Sequence, residues 1–302
     1  MASVLPPPDQ YAALAPRPDG PVWRAFNDTR MLSTAGYALL LQVAHPTVGQ
    51  GVHEYSSFTK DPWGRLLRTL DYVHGTIYGG PEMAGEIGRR VRAMHRGIRG
   101  TKADGSRYSA MEPDAFAWVH ATLALGVVEG HRRFACEMTL ADKQAFWEEW
   151  LGVGRLIGVR ERDLPQDWAG FERYAARVIA EDLQWTPAIP EVVATIADNA
   201  PPGLSGPVRA GWRVAASPMA LHLRVSMVGM LAPELRDRLR LPFSARDEAV
   251  LRATSALMRA ADPVWRGPLR QFGPRYVRWR REALRRGDVA GGQVAVEQPV
   301  AA

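Results

Sequence analysis

The stretch DPWGRLLRTLDYVHGTIYGGPEMAGEIGRRVRAMHRGIRG, residues 61–100, decides the fold class. Asp61 is a helix N-cap candidate, and Pro62 belongs in the first turn, where its missing N–H costs nothing. The helix that follows stops at Gly79-Gly80, and Pro81 opens another. Glu82 and Glu86 stand near the positive end of this second helix, the arginines of 89–99 crowd its negative end, and Gly100 closes it. That is the charge order a helix macrodipole favours. The stretch is therefore a pair of helices, and its arginines have an explanation that involves no function. His95, set among five arginines in RRVRAMHRGIRG, is the residue that this explanation does not cover.

Helical periodicity recurs outward from this pair in both directions. It predicts helices over about 28–43, 46–55, 113–134, 140–157, 167–182, 187–198, 206–232 and, with internal breaks, 244–285. No run of alternating β-branched residues bounded by turn signals interrupts them. The expected class is all-α, as a single globular multi-helix domain over 22–286. Residues 1–21 carry six prolines and read as a poorly ordered arm, and the small, mostly uncharged residues 287–302 read as a disordered tail. GTKADGSRYSAMEPD, 100–114, reads as a turn-rich link. Pro201-Pro202-Gly203 is the best place for a boundary, but the composition is alike on either side.

Composition narrows the functions. Lys and Arg number 38 against 32 Asp and Glu, a formal net charge of +6. The basic residues are spread among acidic ones, so no phosphate-tracking stripe is evident and a nucleic-acid partner is not expected. The single cysteine, Cys136, excludes an intramolecular disulfide and any multi-cysteine zinc or iron–sulfur site, which fits a reducing compartment. The N-terminus MASVLPPPDQ lacks the features of a secretory signal, and the longest apolar stretch, 35–44, is about half of a bilayer span. A cytoplasmic protein without a transmembrane segment is expected, as a monomer or homodimer.

Six of the seven histidines, at 45, 53, 74, 95, 120 and 131, lie in the first half of the chain. No two stand four apart as an HExxH zinc site requires, and no glutamate stands three residues before any histidine, as a di-iron bundle requires. His120 and His131, eleven apart, are too distant to share one ion. GxSxG, GxxxxGK[ST] and GxGxxG are all absent, which leaves hydrolase, NTPase and dinucleotide chemistry without support. A cofactor that needs one protein ligand and an apolar helical pocket remains reasonable, and haem is such a cofactor.

The blocks LLLQVAHPTVGQGVHEYSSFTKDPWGRLLRT (39–69), VRAMHRGIRG, DGSRYSAMEPDAFAWVHATL and EEWLGVGRLIGV resemble, in order and spacing, the oxygenase family that includes the latex clearing proteins and the fungal MpaB enzyme. The resemblance covers about 23–240. It implies a globin-like helical core, haem b with its iron as cofactor, and oxidative cleavage by dioxygen of a hydrophobic, isoprenoid-like or otherwise unsaturated substrate. The family's proximal ligand falls in the block that carries His95. Its distal Arg-x-x-Lys-Thr pattern falls on Arg65, Arg68 and Thr69, with arginine where the family has lysine. A guanidinium stays protonated and is a poor iron ligand, so Arg68 is expected to stabilise charge. Arg65 and Thr69 are expected to line the cofactor, and Arg92 and Arg99 to pair its propionates. His120 matches another histidine of the family; a buried, hydrogen-bonded histidine is its first reading and a cofactor contact its second. Glu54 is the one nearby carboxylate of the right length for the family's base. His45 is expected to fix a helix break through a hydrogen bond. The alternative function is a non-catalytic small-molecule or haem-binding protein on the same scaffold.

Overall fold

Six α-helices among the described residues begin on a proline. Pro21, Pro46, Pro62, Pro81, Pro113 and Pro233 each occupy the first position of a helix, where the ring pre-sets the backbone and no hydrogen bond is lost. The computed structural model describes residues 5–56, 61–102, 104–197, 201 and 203–286. Fourteen α-helices lie among them. They are α1 (Tyr11–Leu14), α2 (Pro21–Phe26), α3 (Ala35–Val43), α4 (Pro46–Tyr55), α5 (Pro62–Tyr78), α6 (Pro81–Arg96), α7 (Pro113–Phe134), α8 (Leu140–Ile157), α9 (Trp168–Glu181), α10 (Ala188–Ala197), α11 (Gly206–Gly229), α12 (Pro233–Arg238), α13 (Ala245–Ala260) and α14 (Gly273–Arg286). The polar residues that precede several helices cap them. Asp61 accepts from the Gly64 amide at 2.9 Å, while Thr139 with Asp142 and Ser244 with Asp247 form reciprocal capping boxes.

One hydrophobic core runs through the chain from Val22 to Val277. Within it α7 packs against α3 and α8, and Trp118, Phe134, Phe146, Trp147, Leu40 and Leu41 are fully buried. Buried indoles are tolerated because their N–H groups are satisfied: Trp118 donates to the Leu41 carbonyl at 2.8 Å and Trp147 to that of Pro165 at 2.9 Å. A buried ion pair closes one end. Arg30 and Asp28 have no exposed side-chain surface, and the guanidinium also donates to Asp262 and to the Phe134 and Met258 carbonyls. A charge so deep is stable only with this complete set of partners.

Three details differ from the sequence expectation. The segment at 28–43 is not one α-helix: Thr29–Thr34 is a tighter 3-10 turn, started by Asp28 accepting from the Arg30 amide, and α3 follows it. The turn-rich link holds a two-stranded antiparallel hairpin, β1 (Arg99–Thr101) and β2 (Arg107–Ser109), with Gly100 opposite Tyr108 and Gly105 at φ +82° in the turn. Within the proline-rich first segment, Pro8–Gln10 form a 3-10 turn that leads into α1, and Tyr11 and Ala15 are buried with Ala84 and Leu156. On either side of 201–203, α10 and α11 both pack on α3. Residues 1–4 and the segment 287–302 lie outside the described residues.

Candidate active site

α5 and α6 form an antiparallel hairpin through Gly80, whose φ of +87° only glycine adopts without strain. α6 is fixed from behind by two glycines. A Cβ on Gly88 would stand 2.1 Å from the Leu156 carbonyl oxygen of α8, and one on Gly85 would stand 2.1 Å from the Tyr11 ring. The helices touch backbone to backbone there, which sets the position of α6. Its C-terminal end, with His95, then lies at the same end of the hairpin as the N-terminal half of α5.

His95 is held in one tautomer. Its Nδ1 lies 2.7 Å from the carbonyl of Val91, one turn back; a carbonyl only accepts, so Nδ1 carries the proton and Nε2 keeps its lone pair. Phe116, at the start of α7, meets the imidazole edge-on with ring centroids 5.6 Å apart, which fixes its plane. Nε2 has no protein partner among the described residues. Burial pushes the His95 pKa down, so the ring is neutral at pH 7, yet the side chain keeps accessible surface. A neutral imidazole, oriented by a carbonyl on Nδ1 with Nε2 free, is the form in which histidine ligates a metal.

Arg65 shares that environment. Burial first, and the neighbouring Arg68 second, lower its pKa to about 10, which leaves it protonated at neutral pH, and it too is only half-buried by surface. It donates to the Ser56 hydroxyl at 2.7 Å, across from α4. Arg68 is directed elsewhere, with Nη1 3.1 Å from Asp61, the residue that caps its own helix. Thr69 is exposed and returns its hydroxyl to the Arg65 carbonyl at 3.0 Å. The three positions of the Arg-x-x-Lys-Thr pattern thus differ: Arg65 is the desolvated cation, Arg68 secures the start of α5, and Thr69 bonds within the helix.

The remaining expected site residues divide in the same way. Arg92, one turn before His95, is buried, and desolvation with the nearby Arg96 lowers its pKa. Arg99 is exposed on β1. Glu54 is exposed as well, and it accepts from the Tyr108 hydroxyl and from Gln50, so its carboxylate pins the hairpin to α4. His120 is 1% exposed and sits in the α7–α8 seam, stacked on Trp150 with centroids 4.5 Å apart. Its Nε2 donates to the Trp150 carbonyl at 3.0 Å, and the Trp150 indole donates back to the His120 carbonyl at 3.2 Å. Burial lowers its pKa to about 3. Gly154 closes the ring edge, since a Cβ there would meet His120 Nε2 at 2.9 Å. The one donor of the His120 ring is thus committed to a backbone carbonyl inside the core, where it ties α7 to α8. Among the described residues the His45 side chain makes no capping bond and its buried Nδ1 has no partner, so the break at Pro46 is made by the backbone.

Composition and spacing did not single out Phe116, Ser56, or the pair of Tyr72 and Met94, whose hydroxyl and sulfur are 3.9 Å apart between α5 and α6. The Val91 carbonyl was in reach of sequence reasoning, because residue i−4 on a helix always presents its carbonyl towards residue i. Among the described residues no three His, Cys, Asp or Glu side chains converge as a metal cluster, and no helix is long and apolar enough to cross a membrane.

Residues 23–260 match the family model described as ER-bound oxygenase mpaB/B'/Rubber oxygenase, catalytic domain. The chain belongs to this family. The match spans α5, α6, α7 and α8, and so includes His95, Arg65, Ser56, Val91 and Phe116. It ends before α14. Comparison with curated proteins and with solved structures gave no match. The mpaB/rubber oxygenase family is a family of oxygenase catalytic domains, and this chain carries one.

Proposed function

We propose that this member of the mpaB/rubber oxygenase family is a haem b-dependent oxygenase that cleaves a carbon–carbon double bond in a hydrophobic, isoprenoid-like substrate. The observation that carries the reading is His95: a neutral ring, fixed by Val91 and Phe116, with an Nε2 that has no partner among the described residues. These residues would fit haem, which needs one imidazole from the protein where non-haem sites need a converging set. His95 would be the proximal ligand, and Arg92, the buried cation on the same helix, would pair a propionate. When bound, haem supplies the redox-active iron that activates dioxygen.

The chain's own residues supply orientation and charge. The Val91 carbonyl, by accepting the Nδ1 proton, raises the electron density on Nε2. Arg65 stays protonated in a desolvated setting, where a fixed cation stabilises negative charge developing on oxygen far more than it would in water. Ser56 holds Arg65 by one hydrogen bond and so limits its rotamers. The overall reaction, alkene plus dioxygen giving two carbonyl groups, is balanced without a reductant: both carbonyl oxygens come from dioxygen, and the carbon–carbon double bond is lost.

The test is incubation with squalene or linoleate under ¹⁸O-labelled dioxygen, with hydrazone trapping and mass spectrometry of the products. Both new carbonyls are expected to carry label before exchange, with one dioxygen consumed per bond cleaved. Haem-loaded protein that consumes no dioxygen and forms no carbonyl with either substrate contradicts the oxygenase and favours a non-catalytic binding protein.

A further inference from the structure

Away from the α5–α6 hairpin, a cavity of about 470 Å³ opens between α3, the C-terminal end of α7, α9, the α11–α12 junction and α13. No residue of α5 or α6 lines it. Its volume is in the range of small-molecule sites. Two unpaired donors mark it. Tyr37 is 8% exposed and lines the cavity, and its hydroxyl has no hydrogen-bond partner among the described residues. The residue is buried but its hydroxyl reaches the cavity, so it is a donor open to a ligand oxygen. Arg236, also in the wall, lies over the Phe243 ring at 4.5 Å and makes no side-chain hydrogen bond or ion pair among the described residues. Its Nη1 is completely buried and unsatisfied.

The other charges in the wall are already occupied. Glu129 accepts from both Arg132 and Arg133, and Glu248 has Arg252 at 3.9 Å. Arg236 is therefore the wall's one cation without a carboxylate among the described residues, and Leu41, Ile179, Met230 and Leu231 supply an apolar side. We infer that this cavity is a second ligand site, taking an amphipathic monocarboxylate whose carboxylate bonds Arg236 and the Tyr37 hydroxyl while its alkyl chain lies on Leu41 and Met230. Carboxylate suits the donors: a guanidinium pairs it in plane, and a phenol adds one bond to the same group.

The experiment is isothermal titration calorimetry of the full chain with octanoate, octanol and inorganic phosphate. Octanoate is expected to bind at one site, with octanol and phosphate each at least roughly tenfold weaker, because each offers only half of the recognition. Tyr37→Phe, which keeps the ring in place, is expected to weaken octanoate roughly tenfold or more, and Arg236→Gln at least as much, the range for a hydrogen bond to a charged group. His95→Ala is expected to bind octanoate as the parent does. Octanol binding as tightly as octanoate, phosphate binding as tightly as octanoate, an unchanged affinity in Tyr37→Phe, or loss of binding in His95→Ala would each overturn the assignment.

Discussion

Asp71→Ala tests how α5, the helix that carries Arg65, is held in place. Asp71 faces α14. It accepts from the Tyr276 hydroxyl at 2.7 Å, and from Arg280 through Nε at 2.9 Å and Nη2 at 2.9 Å. Arg280 and Asp71 side chains are 7% and 11% exposed, so the pair is a buried one, and its hydrogen bond to Asp71 raises the Arg280 pKa. Removing the carboxylate leaves a buried guanidinium without its acceptor and leaves the Tyr276 hydroxyl only the Leu67 carbonyl at 3.2 Å. Breaking a buried pair in this way costs about 3–5 kcal/mol, a large part of the roughly 5–15 kcal/mol that holds a domain together. The assay is urea unfolding of the parent, Asp71→Ala, Arg280→Ala and the double variant. The double variant is expected to lose less than the sum of the singles by about 1–3 kcal/mol, because its second substitution removes a partner already stranded. Additive losses, or an Asp71→Ala cost below about 1 kcal/mol, would refute the clamp.

Stability is expected to fall with acid. His74 and His120 are buried, and desolvation lowers their pKa values from 6.5 to about 4 and about 3. A histidine depressed in the folded state binds its proton first in the unfolded chain. Its contribution is complete above pH 6.5 and is lost as the pH falls towards its folded value; for His74 that is about 2 kcal/mol between pH 7 and pH 5. His74→Phe is expected to flatten the pH dependence of the urea midpoint by that amount, and an unchanged slope would count against burial as the cause. Gly88→Ala drives a Cβ to within 2.1 Å of a backbone oxygen and is expected to cost roughly 1–3 kcal/mol, whereas Gly211→Ala, with nothing within 4 Å, is expected to stabilise by about 0.4–1 kcal/mol. Thermal melts of the two variants separate these signs. Arg65→Leu is expected to keep the cofactor and lower turnover more than substrate affinity, read as kcat against KM for dioxygen consumption.

Much of this was legible in the sequence because the signals were local. Pro62, Asp61, the Gly79-Gly80 stop and Pro81 act within one turn of themselves, so the α5–α6 hairpin followed directly from residues 61–100. The hairpin at 99–109 was not legible, since strands of three residues are too short to show alternation. Roles were harder than positions. Glu54 and Tyr108 are 54 residues apart in the chain, and Arg68 with Asp61 seven apart; in both cases a long-range or cross-turn partner decides what the charged group does. His120 illustrates the limit: an apolar helix around a histidine fits both a cofactor pocket and a core seam, and only the Trp150 carbonyl distinguishes them.

The most direct test of the central claim is the absorption spectrum and pyridine haemochromogen content of protein purified from iron-supplied cells. The account predicts a Soret band with one haem b per chain, lost in His95→Ala and retained in His120→Gln. Folded parent protein that takes up no haem, or a Soret band that survives unchanged in His95→Ala, would contradict it.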